Sequence, residues 1–147
     1  MKTTASSQKV LSRKNLFAHA TQNLTSIKPL VYTAMSKHLF FYRMFISKYV
    51  LENGAVPLNP FMIFDYFLLD TVDRNLVREG NNNLVMKSDE IWVFGAVSNG
   101  VLAEIELAKK MKKPIKYFKI EKQQKIIECA KEDIEFEDEI KNPRDLL

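Results

Sequence analysis

In the stretch SDEIWVFGAVSNGVLAEIELAKKMKKPIKYF, residues 88–118, a serine, an asparagine and a glycine precede a glutamate by a few positions: Ser98, Asn99, Gly100 and Glu104. The stretch reads as strand, loop, helix, strand. A helix start offers free backbone N–H groups and a positive dipole end, so it favours an anion. Ser98 adds a hydroxyl, and Gly100 lets a ligand approach the backbone closely. Glu104 shares a helix face with Val101, Ile105 and Ala108, whereas Glu106 falls on the polar side with Lys109 and Lys110. A carboxylate on an apolar face is costly unless it is paired or used. Two readings are open. Glu104 is a glutamate near a helix start that interacts with the dipole at the rim, or it is aimed at a ligand, where it could stabilise or capture a developing cation.

The elements that must position these residues are legible as hydrophobic patterns. EIWVFG is a continuous apolar run, as in a central strand of a parallel sheet covered on both faces. NGVLAEIELAKKMKK continues as a helix and PIKYFKI as the next strand. Upstream, Leu30, Val31 and Tyr32 after Pro29 begin a buried strand, with Ser36 as a cap for the helical segment after it. KHLFFYRMFISKYVLENG is expected to be a helix in which Phe41, Phe45 and Tyr49 recur every four residues, with Tyr42 and Ile46 beside them, ended by Gly54. AVPLNP is a short strand restricted by its prolines. Residues 61–87 are helical, in one or two pieces. Phe64, Phe67, Leu68, Val72 and Leu76 form the expected face, and Gly80 with Asn81, Asn82 and Asn83 forms the expected interruption. KIIECAKEDIEFEDEI is expected to add a small strand and a short acidic helix.

This order predicts an α/β fold: a three-layer, Rossmann-like sandwich with a four- or five-stranded parallel sheet. Ligands in such sheets bind beyond the carboxyl ends of the strands. Three ends qualify, at Thr33–Ser36, Asn59–Phe61 and Gly95–Gly100. The expected organisation is a basic extension over residues 1–27, partly disordered or helical, and one domain over 28–147 with an acidic tail.

The 147 residues are 46% hydrophobic, enough for a core without disulfides. One cysteine, Cys129, and two histidines, His19 and His38, form no metal-binding pattern. Cys129 is expected as a small buried apolar residue. No apolar run reaches the ~20 residues of a membrane span, so a cytoplasmic protein is expected. The net charge of +4 is uneven. Lys2, Lys9, Arg13, Lys14 and Lys28 make the first thirty residues basic, while acids crowd from Glu132 to Glu139. A basic arm of this kind is either a solvated terminus or a contact for nucleic acid or an anionic membrane. Aromatic and basic residues do not interleave, so no nucleic-acid partner is expected.

From about Lys28 to Ile120 the chain resembles the nucleoside 2-deoxyribosyltransferase-like superfamily. The resemblance lies in VYTAMS, SDEIWVFG and SNGVLAE running into IELAKKMKKPIKYF, and is strongest to an uncharacterised bacterial and phage branch. It implies Glu104 as a nucleophile toward the anomeric carbon of a ribosyl or deoxyribosyl group. It implies Tyr32 as the group that positions Glu104. Ser98 and Gly100 would sit, with Asn99, in the loop that binds a 5′-phosphate in the nucleotide-hydrolysing branch, and Met35 and Ser36 in the loop after the first strand. The family's second acid falls at Asn81, which can donate a hydrogen bond to a leaving base but not a proton. Glu79, Asp70 and Asp73 with Arg74 are nearby substitutes.

The expected function is therefore an N-glycosidase or deoxyribosyltransferase-like enzyme. It would cleave the base–sugar bond of a nucleoside or nucleotide, preferably a 5′-monophosphate, without metal or organic cofactor. The alternatives are a non-catalytic module that senses or sequesters a nucleotide, and an adaptor using the charged ends. The resemblance also implies a homo-oligomer.

Overall fold

A computed structural model of the chain describes residues 17–64, 71–140 and 146–147. Lys2, Lys9, Arg13 and Lys14 of the basic extension, Phe67, Leu68 and Asp70 lie outside the described residues.

Five strands form one sheet: β1 (Leu30–Met35), β2 (Val56–Leu58), β3 (Glu90–Phe94), β4 (Ile115–Glu121) and β5 (Lys125–Cys129). Their spatial order is β2-β1-β3-β4-β5. The first four are mutually parallel, and β5 returns antiparallel to β4. The parallel sheet thus has four strands, and its fifth strand closes one edge with opposite polarity. A turn at Lys122–Gln124, too short for a crossover helix, dictates that polarity.

Side chains alternate between two cores, as the strand period requires. Tyr32, Ala34, Ile91, Val93 and Tyr117 face one side. There they meet Val85 of α3 (Arg74–Lys87) and Val101, Leu102, Ile105 and Ala108 of α4 (Asn99–Lys110). Val31, Met35, Trp92, Phe94 and Phe118 face the other, against Ile46 and Val50 of α1 (Arg43–Glu52). The result is the three-layer α/β sandwich.

Two helical expectations are corrected. The segment Lys37–Tyr42 is a 3-10 helix, and the α-helix begins only at Arg43. The tighter winding shifts the phase of the aromatic series. Phe41 and Phe45 are exposed and the buried face carries Ile46, Ser47 and Val50, while Tyr49 still reaches Trp92, Phe94 and Phe118 edge-on. Gly54 lies just past the helix end with φ +80°, as expected of its stop. In the second case α3 runs unbroken through Gly80–Asn83. A Cβ on Gly80 would lie 2.7 Å from the Phe64 ring, so the glycine makes room for an aromatic neighbour. Val77 and Val85 supply the buried face, and Val72 and Leu76 are exposed. A short α2 (Pro60–Ile63) precedes it. Cys129 is half-buried on the edge strand rather than fully buried.

Candidate active site

The strand order reverses between β1 and β3, since β1 connects to β2 on one side and β3 to β4 on the other. Such a switch point leaves a crevice at the strands' carboxyl ends. A cavity of about 310 Å³ lies there, lined by Met35 at the end of β1 and Ser36 after it, by Ser98, Gly100, Val101 and Glu104 of the α4 start, and by Lys37, Phe61, Glu137 and Glu139. A larger cavity of about 530 Å³ lies between Tyr42, Gly95 and Lys119. The smaller one is the one lined by Glu104.

Glu104 is the sixth residue of α4 and faces the sheet with Val101, Ile105 and Ala108, all buried. The fully buried Tyr32 hydroxyl donates to Glu104 Oε1 at 2.8 Å. Glu104 Oε2 is buried without a partner. Burial pushes the Glu104 carboxyl up to about 8, against the downward pull of the Tyr32 hydrogen bond. Burial, then the Glu104 charge and hydrogen bond, hold the Tyr32 hydroxyl well above its ordinary range, so it remains a donor. One carboxylate oxygen is held in place and the other is left with free lone pairs.

Ser98 is the N-cap of α4, and its hydroxyl accepts from Val101 N–H at 3.3 Å. A Cβ on Gly100 would meet nothing nearer than Ser98 Oγ at 3.9 Å, so the space over the helix start is open to the cavity. Asn99 N–H donates to Glu139 Oε1 at 3.3 Å. Ser36 caps the 3-10 helix by accepting from His38 N–H. Its hydroxyl also donates to Glu137 Oε1, which His38 Nδ1 approaches at 2.9 Å. Burial raises the Glu137 carboxyl, but the bonds from Ser36 and His38 and the charges of His38 and Lys37 bring it below the usual carboxylate value.

Tyr32, Met35, Ser36, Ser98, Gly100 and Glu104 are thus gathered at one place. Asn99 meets the site through its backbone. Asn81 does not line the cavity. It sits on α3 with Oδ1 buried and unpartnered. Asp73 is spent as the N-cap of α3, accepting from Asn75 N–H at 2.8 Å, and Glu79 is exposed. Arg43 donates to Phe40 C=O and covers the Phe40 ring. Arg78 bonds Asn75 Oδ1 on its own helix. Asn59, at the end of β2, braces Arg43 C=O and Ser47 Oγ at 3.2 Å each.

Sequence reasoning misses Glu137 and Glu139 as site residues, because an acidic run near a chain end reads as solvated. The apolar positions within it, Ile134, Phe136 and Ile140, are the available signal. Val97 N–H donates to Glu135 C=O and Glu137 N–H to Val97 C=O, both at 2.9 Å, and Ile134 and Ile140 are buried. The segment is a strap, bridged to Val97 through Phe136.

A family model described as "Domain of unknown function (DUF7768)" matches residues 31–118. No curated protein matches the chain. Among solved structures, a 2-desoxiribosyltransferase from Leishmania mexicana is similar at a TM-score of 0.49 and 17% identity, over 63% of this chain. The match spans 65% of that structure, less than two thirds of its length. At this identity and score the likeness bears on neither activity nor substrate.

Proposed function

We propose that this chain, which belongs to the family described as Domain of unknown function (DUF7768), cleaves the base–sugar bond of a nucleoside or nucleotide through Glu104. The observation that carries this reading is the Glu104 carboxylate, held at Oε1 by Tyr32 and buried without a partner at Oε2, in the wall of a cavity at the sheet's switch point. Oε2 attacks the anomeric carbon as the bond to the base nitrogen breaks. The bonding pair leaves with the base, which takes a proton from water. Water or a second base then displaces the carboxylate and regenerates it. A positioned nucleophile and a donor fixed by burial are what such a step needs. The reaction requires neither a metal nor an organic cofactor. Ser98 and Gly100 by themselves favour a 5′-monophosphate; Glu137 and Glu139, in the same wall, oppose it. A homo-oligomer is part of the same proposal.

The second reading is a nucleotide-binding module without catalysis. Asn81 stands where the resemblance to the nucleoside 2-deoxyribosyltransferase-like superfamily implies a second acid, and lies outside the cavity lining, which favours it. One experiment separates the two. The purified chain is incubated with ribo- and deoxyribonucleosides and their 5′-monophosphates, and free bases are resolved by chromatography. Release by the wild type and its loss in Glu104→Ala support cleavage. Binding without release supports the module.

A further inference from the structure

Both places in this cavity suited to an anion already hold one. At the α4 start, Asn99 N–H donates to the Glu139 carboxylate. At the loop after β1, Ser36 Oγ and His38 Nδ1 meet the Glu137 carboxylate. The strap that carries them is not a loose tail. It is tied by two backbone bonds to Val97 and by the buried side chains of Ile134 and Ile140. Lifting the strap backbone away from the cavity would return both isoleucines to water. Among the described residues, the lining thus sets the carboxylates of Glu137 and Glu139, beside the buried Glu104 carboxyl, against the ammonium of Lys37, with His38 at the rim beside Glu137.

We infer that Glu137 and Glu139 are specificity-determining residues that select a sugar whose 5′ carbon bears a neutral hydroxyl over one that bears a phosphate. The inference rests on the proposed nucleoside-cleaving site. Ionised carboxylates only accept hydrogen bonds. A 5′-hydroxyl donates one; a phosphate monoester, with a charge of about −1.5 to −2 near neutral pH, offers them further negative charge instead. The helix start that would otherwise reward a phosphate is engaged by Glu139.

The test is calorimetric titration of the full chain with nucleosides, their 5′-monophosphates and inorganic phosphate. Wild type, Glu139→Gln and the double variant Glu137→Gln/Glu139→Gln are compared. Wild type should bind a nucleoside at least about tenfold more tightly than its monophosphate, and the double variant should close that gap by about tenfold or more and gain affinity for inorganic phosphate. Glu139 is exposed, so its single variant should fold and show part of the change even if the double variant does not fold. Preference of the wild type for monophosphates, or an unchanged ratio and unchanged phosphate affinity in the variants, overturns the inference. If no nucleoside or nucleotide binds any form, the nucleoside reading of the site fails and the 5′-selectivity falls with it. The phosphate arm would then report only whether Glu137 and Glu139 fill anion positions.

Discussion

At the scale of single residues, Glu104 couples stability to chemistry. Folded, its carboxyl keeps a proton up to about pH 8; unfolded, its pKa is 4.5. Between those values the folded chain binds the extra proton, so stability falls as pH rises, by up to about 1.4 kcal/mol per pH unit. The contribution is complete below the unfolded pKa and lost as pH rises through the folded one. Urea denaturation across this window should show wild type losing stability relative to Glu104→Gln as pH rises; parallel curves would contradict the effect of burial on this carboxyl. If Glu104 is the nucleophile, base release should rise with pH to a plateau near 8, whereas a general-acid role would make it fall. Tyr32→Phe removes the bond that lowers the Glu104 pKa. It should move that rising limb to higher pH and cut release at neutral pH by about tenfold or more, as a pH–rate profile would show.

At the scale of elements, the site depends on how β3 hands the chain to α4. Gly95 ends β3 with φ +72°, and a Cβ there would lie 2.5 Å from Leu39 Cδ1. Gly95→Ala should therefore destabilise by at least about 1–2 kcal/mol, from the left-handed backbone alone, with displacement of Leu39 added. Equilibrium denaturation measures it, and a neutral effect would mean the turn can relax. Ser98→Ala removes the α4 cap and should cost about 1 kcal/mol. Because Ser98 also lines the cavity, ligand affinity should fall with it. The 3-10 turn ahead of α1 acts at this scale too: by changing the winding, it decides which side of an aromatic-rich segment is buried.

At the scale of the whole molecule, the helical layers leave apolar surface uncovered. Phe41 and Leu76 are 83% and 63% exposed, and Met44, Leu51, Met62 and Ile63 are exposed as well. Among the described residues, no helix is long and apolar enough to cross a membrane. Association with another copy through the Phe41–Met44 region would bury such a surface. Sedimentation velocity should give a multiple of the 17.1 kDa chain mass. Phe41→Ser/Met44→Ser should shift it toward the monomer without loss of fold, since both side chains are exposed. A monomeric wild type would remove the oligomer from the proposal.

The sequence by itself determined the layers and the placement of Glu104 on the sheet-facing side of its helix. EIWVFG and PIKYFKI are strands because their apolar runs admit little else, and Glu104 faces the sheet because helical spacing puts it beside Val101, Ile105 and Ala108. The Ser36 cap and the Gly54 stop were legible for the same reason: each acts within a turn or two of itself. Tertiary structure decided what depends on distant segments. It placed Asn81 away from the cavity lining, let α3 continue past Gly80 beside Phe64, and turned Phe41 to solvent. It also carried Glu137 and Glu139 across the sheet's mouth. Local pattern records the period of an element, but not which remote segment will cover it. An acidic run with two buried isoleucines reads as a tail until the fold shows where those isoleucines are buried.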